Sequence, residues 1–261
     1  MRALSQSDFL KVIEGRDYEF LINGYPFKLK ESVHLSDGQF HSQHKYHFKN
    51  CRLPKLIVSG TDISSQWSFE NCVFDELVIE SSSVANIEFE NCVIGDLVYK
   101  FNQNAGALKI HACKVNHLEY LSNSKFDLLH IGCNNLLDKV NILNNGAENT
   151  DESEFYLCPE KFNAIRIENL TASKLEIGTF GEYSNLFLSE IKTDHLLLRN
   201  CNSKNSKVVF KKVRPKSKNR GVLQFLDSTI SASVFDNDFF KSYFSVEYKN
   251  SSIDSFSLAG N

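Results

Sequence analysis

The sequence predicts an all-β protein in which short strands wind into a β-helix, a solenoid with coils of about 20 to 21 residues. Three observations predict this fold class: cysteines recur at the length of one coil, apolar residues recur in steps of five, and the spacing of an amphipathic helix is lacking. Repeats of this kind are typical of solenoids, in which each coil contacts only its neighbours. On this interpretation the 261 residues form one elongated unit.

The cysteines reveal the length of the repeat. They are separated by 21, 20, 21 and 20 residues: Cys51, Cys72, Cys92, Cys113 and Cys133. A phenylalanine lies three residues before each of the first three, and an asparagine directly before each: Phe48, Phe69, Phe89, Asn50, Asn71 and Asn91. Equivalent positions stack in a solenoid, so we expect a column of Phe, a column of small buried thiols, and Asn at the corners, where it tolerates turn conformations. A redox or metal-binding ladder of cysteines is the less favoured interpretation.

Each coil has a finer period of five residues. Seven apolar positions follow one another at this interval from Phe69 to Tyr99, and the same step returns between Ile165 and Ser203. Residues two apart on an extended segment face the same side, so each unit directs two side chains inward before the chain turns. Four units make a coil of 20 residues, and the coils of 21 each need one inserted residue, which we place near Gln66, Ala105 and Phe126.

In this step of five the chain resembles the pentapeptide-repeat family over residues 46 to 126 and, more loosely, 165 to 203. The resemblance implies a right-handed, parallel, four-sided β-helix. Cys72 and Cys92 match the family's preference for a small residue two before the central apolar one, whereas Leu77 departs from it. A less regular right-handed β-helix with wider coils is the alternative. Left-handed hexapeptide helices are disfavoured because their step is six.

The chain divides into two parts on this interpretation. Residues 1–45 are predicted to be an N-terminal cap, and residues 46–261 the β-helix, interrupted by loops near 143–155 and 211–221. A cap is expected because the ends of a solenoid expose core and strand edges.

Both termini contain residues suited to covering an end. Ser5 and Asp8 fit a capping box that opens a short helix, and residues 18–29 have the pattern of a hairpin around Asn23-Gly24. The C-terminus is rich in aromatic residues: Phe235, Phe239, Phe240, Tyr243, Phe244 and Tyr248. They complete the core, which is the favoured interpretation, or they form the contact of a homodimer.

The sequence lacks the motifs of the common enzyme classes, including the nucleophile elbow, the zinc-protease motif and the phosphate-binding loops. We therefore expect a non-enzymatic protein with no cofactor and no metal. His41, His44 and His47 recur every third residue, but positions three apart on extended chain face opposite sides, so a metal site there is disfavoured. No apolar run approaches a membrane span and no secretion signal is evident, so a soluble, cytoplasmic protein is expected, without membrane contact.

Charge is segregated along the chain, although the net charge is only −3. Eight acids and no Lys or Arg lie between Leu56 and Tyr99, whereas nine bases and no acid lie between His195 and Arg220. The candidate acidic interaction face comprises Glu70, Asp75, Glu76, Glu90 and Asp96. The candidate basic interaction face comprises Lys211, Lys212, Arg214, Lys216, Lys218 and Arg220. Glu80 and Lys100 are one coil apart and are predicted to pair.

These surfaces predict a scaffold that presents charged faces to a macromolecular partner, most readily another protein. The resemblance implies an alternative, a regulator or inhibitor of a nucleic-acid enzyme such as DNA gyrase that acts through an acidic, DNA-mimicking face. Direct contact of the basic face with nucleic acid is a further interpretation, and a carbohydrate-active β-helix enzyme is the least favoured. Against all of these stands the simplest interpretation, that both faces are only the solvated surfaces of a dipolar rod.

Overall fold

The strands predicted from the step of five form a parallel β-solenoid of about eight turns. The computed structural model describes residues 2–13, 27–36, 46–104, 107–122, 128–132, 135–144, 154–159, 161–178, 185–201, 208–215, 221–230, 233–235, 244–253 and 256–258. Within these residues the secondary structure is almost entirely β, with one short helix, so the predicted fold class is confirmed.

The elements follow in chain order. The helix α1 spans Gln6–Ile13. The strands are β1 Arg2–Leu4, β2 Phe27–Leu29, β3 Val33–Ser36, β4 Tyr46–Lys49, β5 Arg52–Ser59, β6 Asp62–Glu70, β7 Val73–Glu80, β8 Ser83–Glu90, β9 Val93–Lys100, β10 Gln103–Asn104, β11 Ala107–His111, β12 Lys114–Ser122, β13 Leu128–Ile131, β14 Leu136–Asn144, β15 Glu154–Leu157, β16 Lys161–Glu168, β17 Thr171–Gly178, β18 Asn185–Ser189, β19 Lys192–Arg199, β20 Val208–Lys211, β21 Gly221–Leu226, β22 Thr229–Ile230, β23 Ser233–Phe235, β24 Phe244–Lys249, β25 Ser252–Ile253 and β26 Phe256–Leu258.

Two long parallel sheets form the walls. Sheet A has the order β1-β2-β5-β7-β9-β12-β14-β16-β18-β20-β23-β26, and β3 also pairs with β5. Sheet B has the order β4-β6-β8-β11-β13-β15-β17-β19-β21-β24, and β10 also pairs with β8. Because successive strands of the chain alternate between the sheets through most of the solenoid, each coil contributes one strand to each wall.

The register confirms the coil length. Arg52 pairs with Val73 and Val73 pairs with Val93, so the predicted long and short coils follow each other in the predicted order. The inserted residue predicted near Gln66 is a register shift between Ile63 and Gln66, where the number of residues that separate paired positions of β6 and β8 becomes smaller by one. The insertions predicted near Ala105 and Phe126 lie outside the described residues. Neighbouring coils approach closely, and a Cβ added at Gly95 would collide with the carbonyl oxygen of Asp75.

Asparagine occupies corners between strands, as predicted. Asn50, Asn71 and Asn91 have φ values of 56°, 52° and 53°, in the left-handed region. Ser81 and Phe101 take the same conformation at corners half a coil later, with φ values of 51° and 56°. Asn enters this region more readily than most residues with a Cβ, which explains its recurrence at these positions.

The predicted phenylalanine column lies in the core. The rings of Phe48 and Phe69 stack with centroids 4.9 Å apart, and those of Phe69 and Phe89 with centroids 5.2 Å apart. Ile110 continues the column because it pairs in register with Phe89. Burial of such rings and their offset stacking stabilise one coil upon the next, with stacking contributing about 0.5–1.5 kcal/mol per pair beyond burial.

The N-terminal helix covers one end of this column. The amide of Asp8 donates a hydrogen bond to Ser5 Oγ over 3.2 Å, and the amide of Ser5 donates one to Asp8 Oδ2 over 3.3 Å, so the predicted capping box is confirmed. Phe9 is fully buried, and its ring centroid lies 6.1 Å from that of Phe48.

The predicted hairpin falls partly outside the described residues. Its second arm is β2, which pairs in parallel with β1 and, through Lys28 and Arg52, with β5. This segment therefore extends sheet A; its first arm lies outside the described residues. In the part of the chain that the structure describes, no helix is long and apolar enough to cross a bilayer.

The corners allow a direct test of the backbone conformation. Asn91 is exposed, so its replacement alters little packing. We expect Asn91→Gly to change the free energy of unfolding by about a few tenths of a kcal/mol, because glycine accepts positive φ, whereas Asn91→Val destabilises by about 1–2 kcal/mol. Denaturant unfolding followed by circular dichroism measures both. Equal stability of the two variants would contradict the left-handed assignment.

Candidate functional site

The candidate acidic face falls into two columns. Glu70 and Glu90 are in register at the ends of β6 and β8, in sheet B, whereas Glu76 and Asp96 are in register in β7 and β9, in sheet A. The Asn71 corner separates the two columns, so these acids lie on both sides of a corner and do not share one sheet face.

Basic residues of adjoining coils lie against several of these acids. Lys49 Nζ is 2.6 Å from Glu70 Oε1 and His47 Nε2 is 3.2 Å from Glu70 Oε2. Lys55 forms an ion pair with Glu76. The hydrogen bond from Lys49, together with its charge, lowers the pKa of Glu70 although desolvation opposes the shift. The charge of this surface is therefore smaller than the count of acids between Leu56 and Tyr99 indicates.

These counterions were not predicted, because Lys49 and Lys55 lie outside the run from Leu56 to Tyr99 that defines the acidic segment. Lys49 and Lys55 each lie one coil before the partner acid, so the register of the repeat would have identified them. The pair that was predicted on this principle is confirmed, with Lys100 Nζ 3.0 Å from Glu80 Oε2. Exposed pairs of this type contribute about 0–1 kcal/mol each.

The other acids of the face are more open. Asp75 and Glu90 are both exposed, and no described residue forms an ion pair with either. Asp96 lies 3.5 Å from His117 Nδ1, a contact that carries charge only when the imidazole is protonated.

The candidate basic face begins at the end of β20. Lys211 ends that strand, Lys212 occupies a left-handed corner with φ of 52°, and Arg214 forms a backbone bridge to Lys192. We define four residues as the basic corner: Lys192, Lys211, Lys212 and Arg214. The side chains of all four are exposed. Lys192 lies one coil before Arg214 and was missed because it lies outside the run of bases. Lys216, Lys218 and Arg220 lie outside the described residues.

One acid lies within the basic corner. Lys212 Nζ is 2.9 Å from Glu190 Oε1. The hydrogen bond from Lys212 lowers the pKa of Glu190, and the charges of Lys212, Lys211 and Arg214 add to the effect. Four bases and one acid leave a formal charge of +3 on this corner.

A buried carboxylate organises a further cluster on sheet B. Glu176 is 6% exposed, 3.2 Å from Lys174 Nζ and 3.0 Å from an Arg199 guanidinium nitrogen. Lys174 also lies over the ring of Tyr156, 4.6 Å from its centroid, and the partly exposed Cys158 thiol is 3.8 Å from a Glu176 oxygen. No motif or repeat position in the sequence predicts this cluster. Its carboxylate is held by two bases, which indicates a structural role.

The cysteine column differs from the prediction in its fifth member. Cys51, Cys72, Cys92 and Cys113 are buried as expected. Val93 pairs with Lys114, and Lys114 pairs with Leu136. The coil from Lys114 to Leu136 is one residue longer than the coil from Val93 to Lys114. The position after Cys113 therefore belongs to Asn135, and the assignment of Cys133 to this column is wrong.

Asn135 has a physical reason to occupy that position. Its Oδ1 accepts a hydrogen bond from the amide of Cys113 over 2.6 Å, and its Nδ2 donates to the carbonyls of Ile110 and Gly132. The amide group therefore satisfies backbone groups that a thiol would satisfy more weakly. Cys133 lies outside the described residues.

The thiols of this column are held in their protonated form. The Cys51 thiol raises the pKa of Cys72, and burial adds to this, to about 12. The Cys113 thiol lowers the pKa of Cys92, but the Cys72 thiol and burial outweigh it and raise the value to about 12. Reactive and metal-binding cysteines act as thiolates, so these groups are suited to packing. Within the described residues, no group of three His, Cys, Asp or Glu side chains is placed to hold a metal ion.

No protein-family model, curated protein or solved structure matches the chain. The coils of about 21 residues are compatible with a β-helix repeat protein. Membership of the pentapeptide-repeat family stays a prediction.

The thiol column predicts loss of stability at alkaline pH. A buried thiol whose pKa is about 12 keeps its proton when the unfolded chain, with a thiol pKa of about 8.5, has lost it. The contribution of each thiol to the free energy of unfolding is fully present below about pH 8.5. It is lost as the pH rises towards 12, at roughly 1.4 kcal/mol per pH unit for each thiol. Urea unfolding from about pH 7.5 to 9, below most of the range in which Lys and Tyr titrate, measures it.

The matched variant is Cys92→Ala, which removes one such thiol. We expect its free energy of unfolding to be lower at neutral pH but to fall less steeply as the pH rises, because unfolding of the variant releases about one proton fewer. An unchanged slope would contradict the shifted pKa of Cys92.

Proposed function

We propose that this chain is a non-enzymatic scaffold, a rigid β-solenoid that binds another protein through its charged surfaces. The basic corner is the principal contact. One observation carries the proposal: Lys192, Lys211, Lys212 and Arg214 are all exposed at one corner, and together with Glu190, the ion-pair partner of Lys212, they carry a formal charge of +3. A concentrated charge of one sign attracts and orients an acidic partner surface.

The backbone at the basic corner is fixed by the neighbouring coils. The amide of Glu190 donates a hydrogen bond to the carbonyl of Lys211 over 2.8 Å, and the amide of Thr193 donates one to the carbonyl of Arg214 over 3.0 Å. Val213 is fully buried between the bases that flank it. The charges are therefore presented from positions that need little ordering on binding, which favours affinity.

Three carboxylates that lie in ion pairs favour a binding role over an enzymatic one. Glu70, Glu76 and Glu176 each contact at least one Lys or Arg side chain. A glycoside-cleaving site requires a pair of carboxyl groups that act as acid and base or nucleophile on one substrate. Glu70, Glu76 and Glu176 are each held by a base instead, so the carbohydrate-active enzyme stays the least favoured alternative.

The regulator of a nucleic-acid enzyme such as DNA gyrase stays a prediction. It depends on the acidic columns, whose charge Lys49 and Lys55 partly offset. For this reason the proposal places the basic corner first. Direct binding of nucleic acid by the same corner is an outcome that the experiment below distinguishes.

Charge reversal tests the proposal. The corner variant carries Lys211→Glu, Lys212→Glu and Arg214→Glu. The control variant carries Arg52→Glu, Lys114→Glu and Lys139→Glu, three exposed bases elsewhere on the solenoid, so the change in net charge is equal. We expect proteins crosslinked to the wild-type chain in its native cell to be retained by the control and reduced at least about tenfold with the corner variant.

Quantitative mass spectrometry measures recovery, and circular dichroism checks that both variants are folded. Nuclease treatment before recovery identifies any contact that nucleic acid mediates. Equal recovery of the same proteins by the corner variant and the wild type would overturn the proposal.

A further inference from the structure

Four polar side chains form a square on the outer surface of sheet B, where β4 pairs with β6. His47 is in register with Ser68, and Lys49 is in register with Glu70. The alternate residues of both strands are buried aromatic side chains: Tyr46, Phe48, Trp67 and Phe69. Their packing fixes the two strands, so the four outward residues are held at defined positions relative to one another.

His47 joins a hydroxyl to a carboxylate within this square. Its Nδ1 atom is 3.0 Å from Ser68 Oγ, and its Nε2 atom is 3.2 Å from Glu70 Oε2. Lys49 Nζ lies 2.6 Å from the other oxygen of Glu70. The His47 side chain is 48% exposed, so a reagent has access to the site. A hydroxyl, an imidazole and a carboxylate in this order form the arrangement in which the imidazole acts as a general base on the hydroxyl.

The tautomer of His47 follows from its partners. The hydrogen bond from Lys49 lowers the pKa of Glu70, so this carboxylate is ionised at neutral pH and only accepts hydrogen bonds. The neutral imidazole therefore carries its proton on Nε2 and donates it to Glu70. Its Nδ1 atom keeps a lone pair that accepts the hydrogen bond of the Ser68 hydroxyl, which is the state that a general base requires.

Two other imidazoles on the outer walls show the contrast. His117 Nδ1 lies 3.5 Å from Asp96, and His195 Nε2 lies 3.1 Å from Gln224 Oε1. These partners are a carboxylate and an amide. The second partner of His47 is instead a hydroxyl, which becomes a nucleophile when its proton is removed.

We propose that Ser68 is a nucleophilic serine that accepts one acyl group per chain from an activated donor, a thioester or an aryl ester. Ser68 Oγ forms a bond to the acyl carbon, and the bond from that carbon to the leaving sulfur or oxygen breaks. The hydroxyl proton passes to His47 Nδ1 and then to the leaving group, so the step needs no other reactant. The product is an ester on Ser68. Glu70 is a positioning residue that holds the imidazole.

The backbone limits this chemistry to modification of the chain. β6 lies between β4 and β8, so its backbone amides are engaged in the two ladders and do not stabilise an oxyanion. The lack of one such donor lowers the rate by about 10²–10³-fold. Acylation and hydrolysis of the ester are therefore both slow, and the site adds a covalent modification to the scaffold without rapid turnover. This inference does not rest on the proposed function, and neither experiment decides the other.

The charge around Ser68 selects the donor. On the following coil, Ser68 is in register with Glu88, and Glu70 is in register with Glu90. The three acids and Lys49 leave a formal charge of −2 on this patch when the imidazole is neutral. Because like charges repel, an uncharged donor is favoured over one that carries phosphate groups.

Labelling of the full chain with an uncharged fluorophosphonate tests the nucleophile. Ser68 Oγ displaces fluoride from phosphorus, and its proton leaves through His47, so the chain gains a single stable phosphonyl group. We expect labelling at Ser68 to be at least about 100-fold faster than at Ser83, an exposed serine of β8, because general-base catalysis contributes about 10²–10⁴-fold. Mass spectrometry of the intact chain counts the groups, and peptide mapping locates them.

Two histidine variants provide the comparison. His47→Gln removes the base, and we expect it to lower the labelling rate of Ser68 to that of Ser83. His117→Gln is the matched control, since it removes an imidazole that also lies beside a carboxylate, and it is labelled like the wild type. Circular dichroism checks that both are folded. Labelling of Ser68 no faster than Ser83 in the wild type, or equal rates in wild type and His47→Gln, would refute the inference.

Two thioesters of the same acyl group test the choice of donor. The acetyl thioester of N-acetylcysteamine is uncharged, whereas acetyl-coenzyme A carries phosphate groups. We expect the uncharged thioester to acetylate Ser68 several-fold faster at low salt, and the difference to shrink as salt screens the charges. A faster reaction with acetyl-coenzyme A would contradict the assigned donor class.

Nitrogen-15 spectra of protein with labelled histidine test the role of Glu70. The wild type shows His47 protonated on Nε2, and the signals are assigned by their loss in His47→Gln. We expect Glu70→Ala to populate both tautomers of His47 and to slow phosphonylation of Ser68 at least about tenfold. An unchanged tautomer in Glu70→Ala would show that Glu70 does not position the imidazole.

Discussion

In-register stacking of parallel strands is the constraint on which the other features of this molecule depend. Each inward side chain contacts the same position of the coil on either side, so residues of compatible shape recur at the coil length. Phe48, Phe69 and Phe89 recur for this reason, with ring centroids 4.9 and 5.2 Å apart. The same register places Lys49 on Glu70 and Lys55 on Glu76 outside the wall. Core packing and surface ion pairs therefore follow from one backbone arrangement.

Buried polar residues obey the same constraint at the corners. The amide of Thr61 donates to Ser82 Oγ, the amide of Ser82 donates to Asn102 Oδ1, and Asn102 Nδ2 donates to the carbonyl of Ile79. In the earlier coils the inward corner position thus accepts Ser, Asn or Cys, because each offers an acceptor to the amide of the preceding coil, whereas Leu170, Ile191 and Val213 fill it in later coils. An unsatisfied buried amide would destabilise by about 1–3 kcal/mol, which explains why these positions are not filled by aliphatic residues throughout.

The coil length, the phenylalanine column and the asparagine corners were predictable from the sequence because each depends on spacing alone. The place of Asn135 was not, because a longer coil shifts the register there and an amide is not an obvious substitute for a thiol. The counterions of Glu70 and Glu190 were also missed, since contacts in a solenoid join residues one coil apart. The exposure of Tyr248 was not predictable, because the aromatic composition of the C-terminus favours a completed core.

The repeated register also bears on how such a chain changes in length over evolution. Removal of residues 73–92 would join Cys72 directly to Val93, which occupies the position of Val73 one coil later. Every column would remain continuous after that deletion, and duplication of the same segment would add a coil. Loss of a single residue within a strand would instead exchange its inward and outward faces. Descendants of this sequence are therefore expected to differ by whole coils, with single-residue changes tolerated at irregularities such as the one between Ile63 and Gln66.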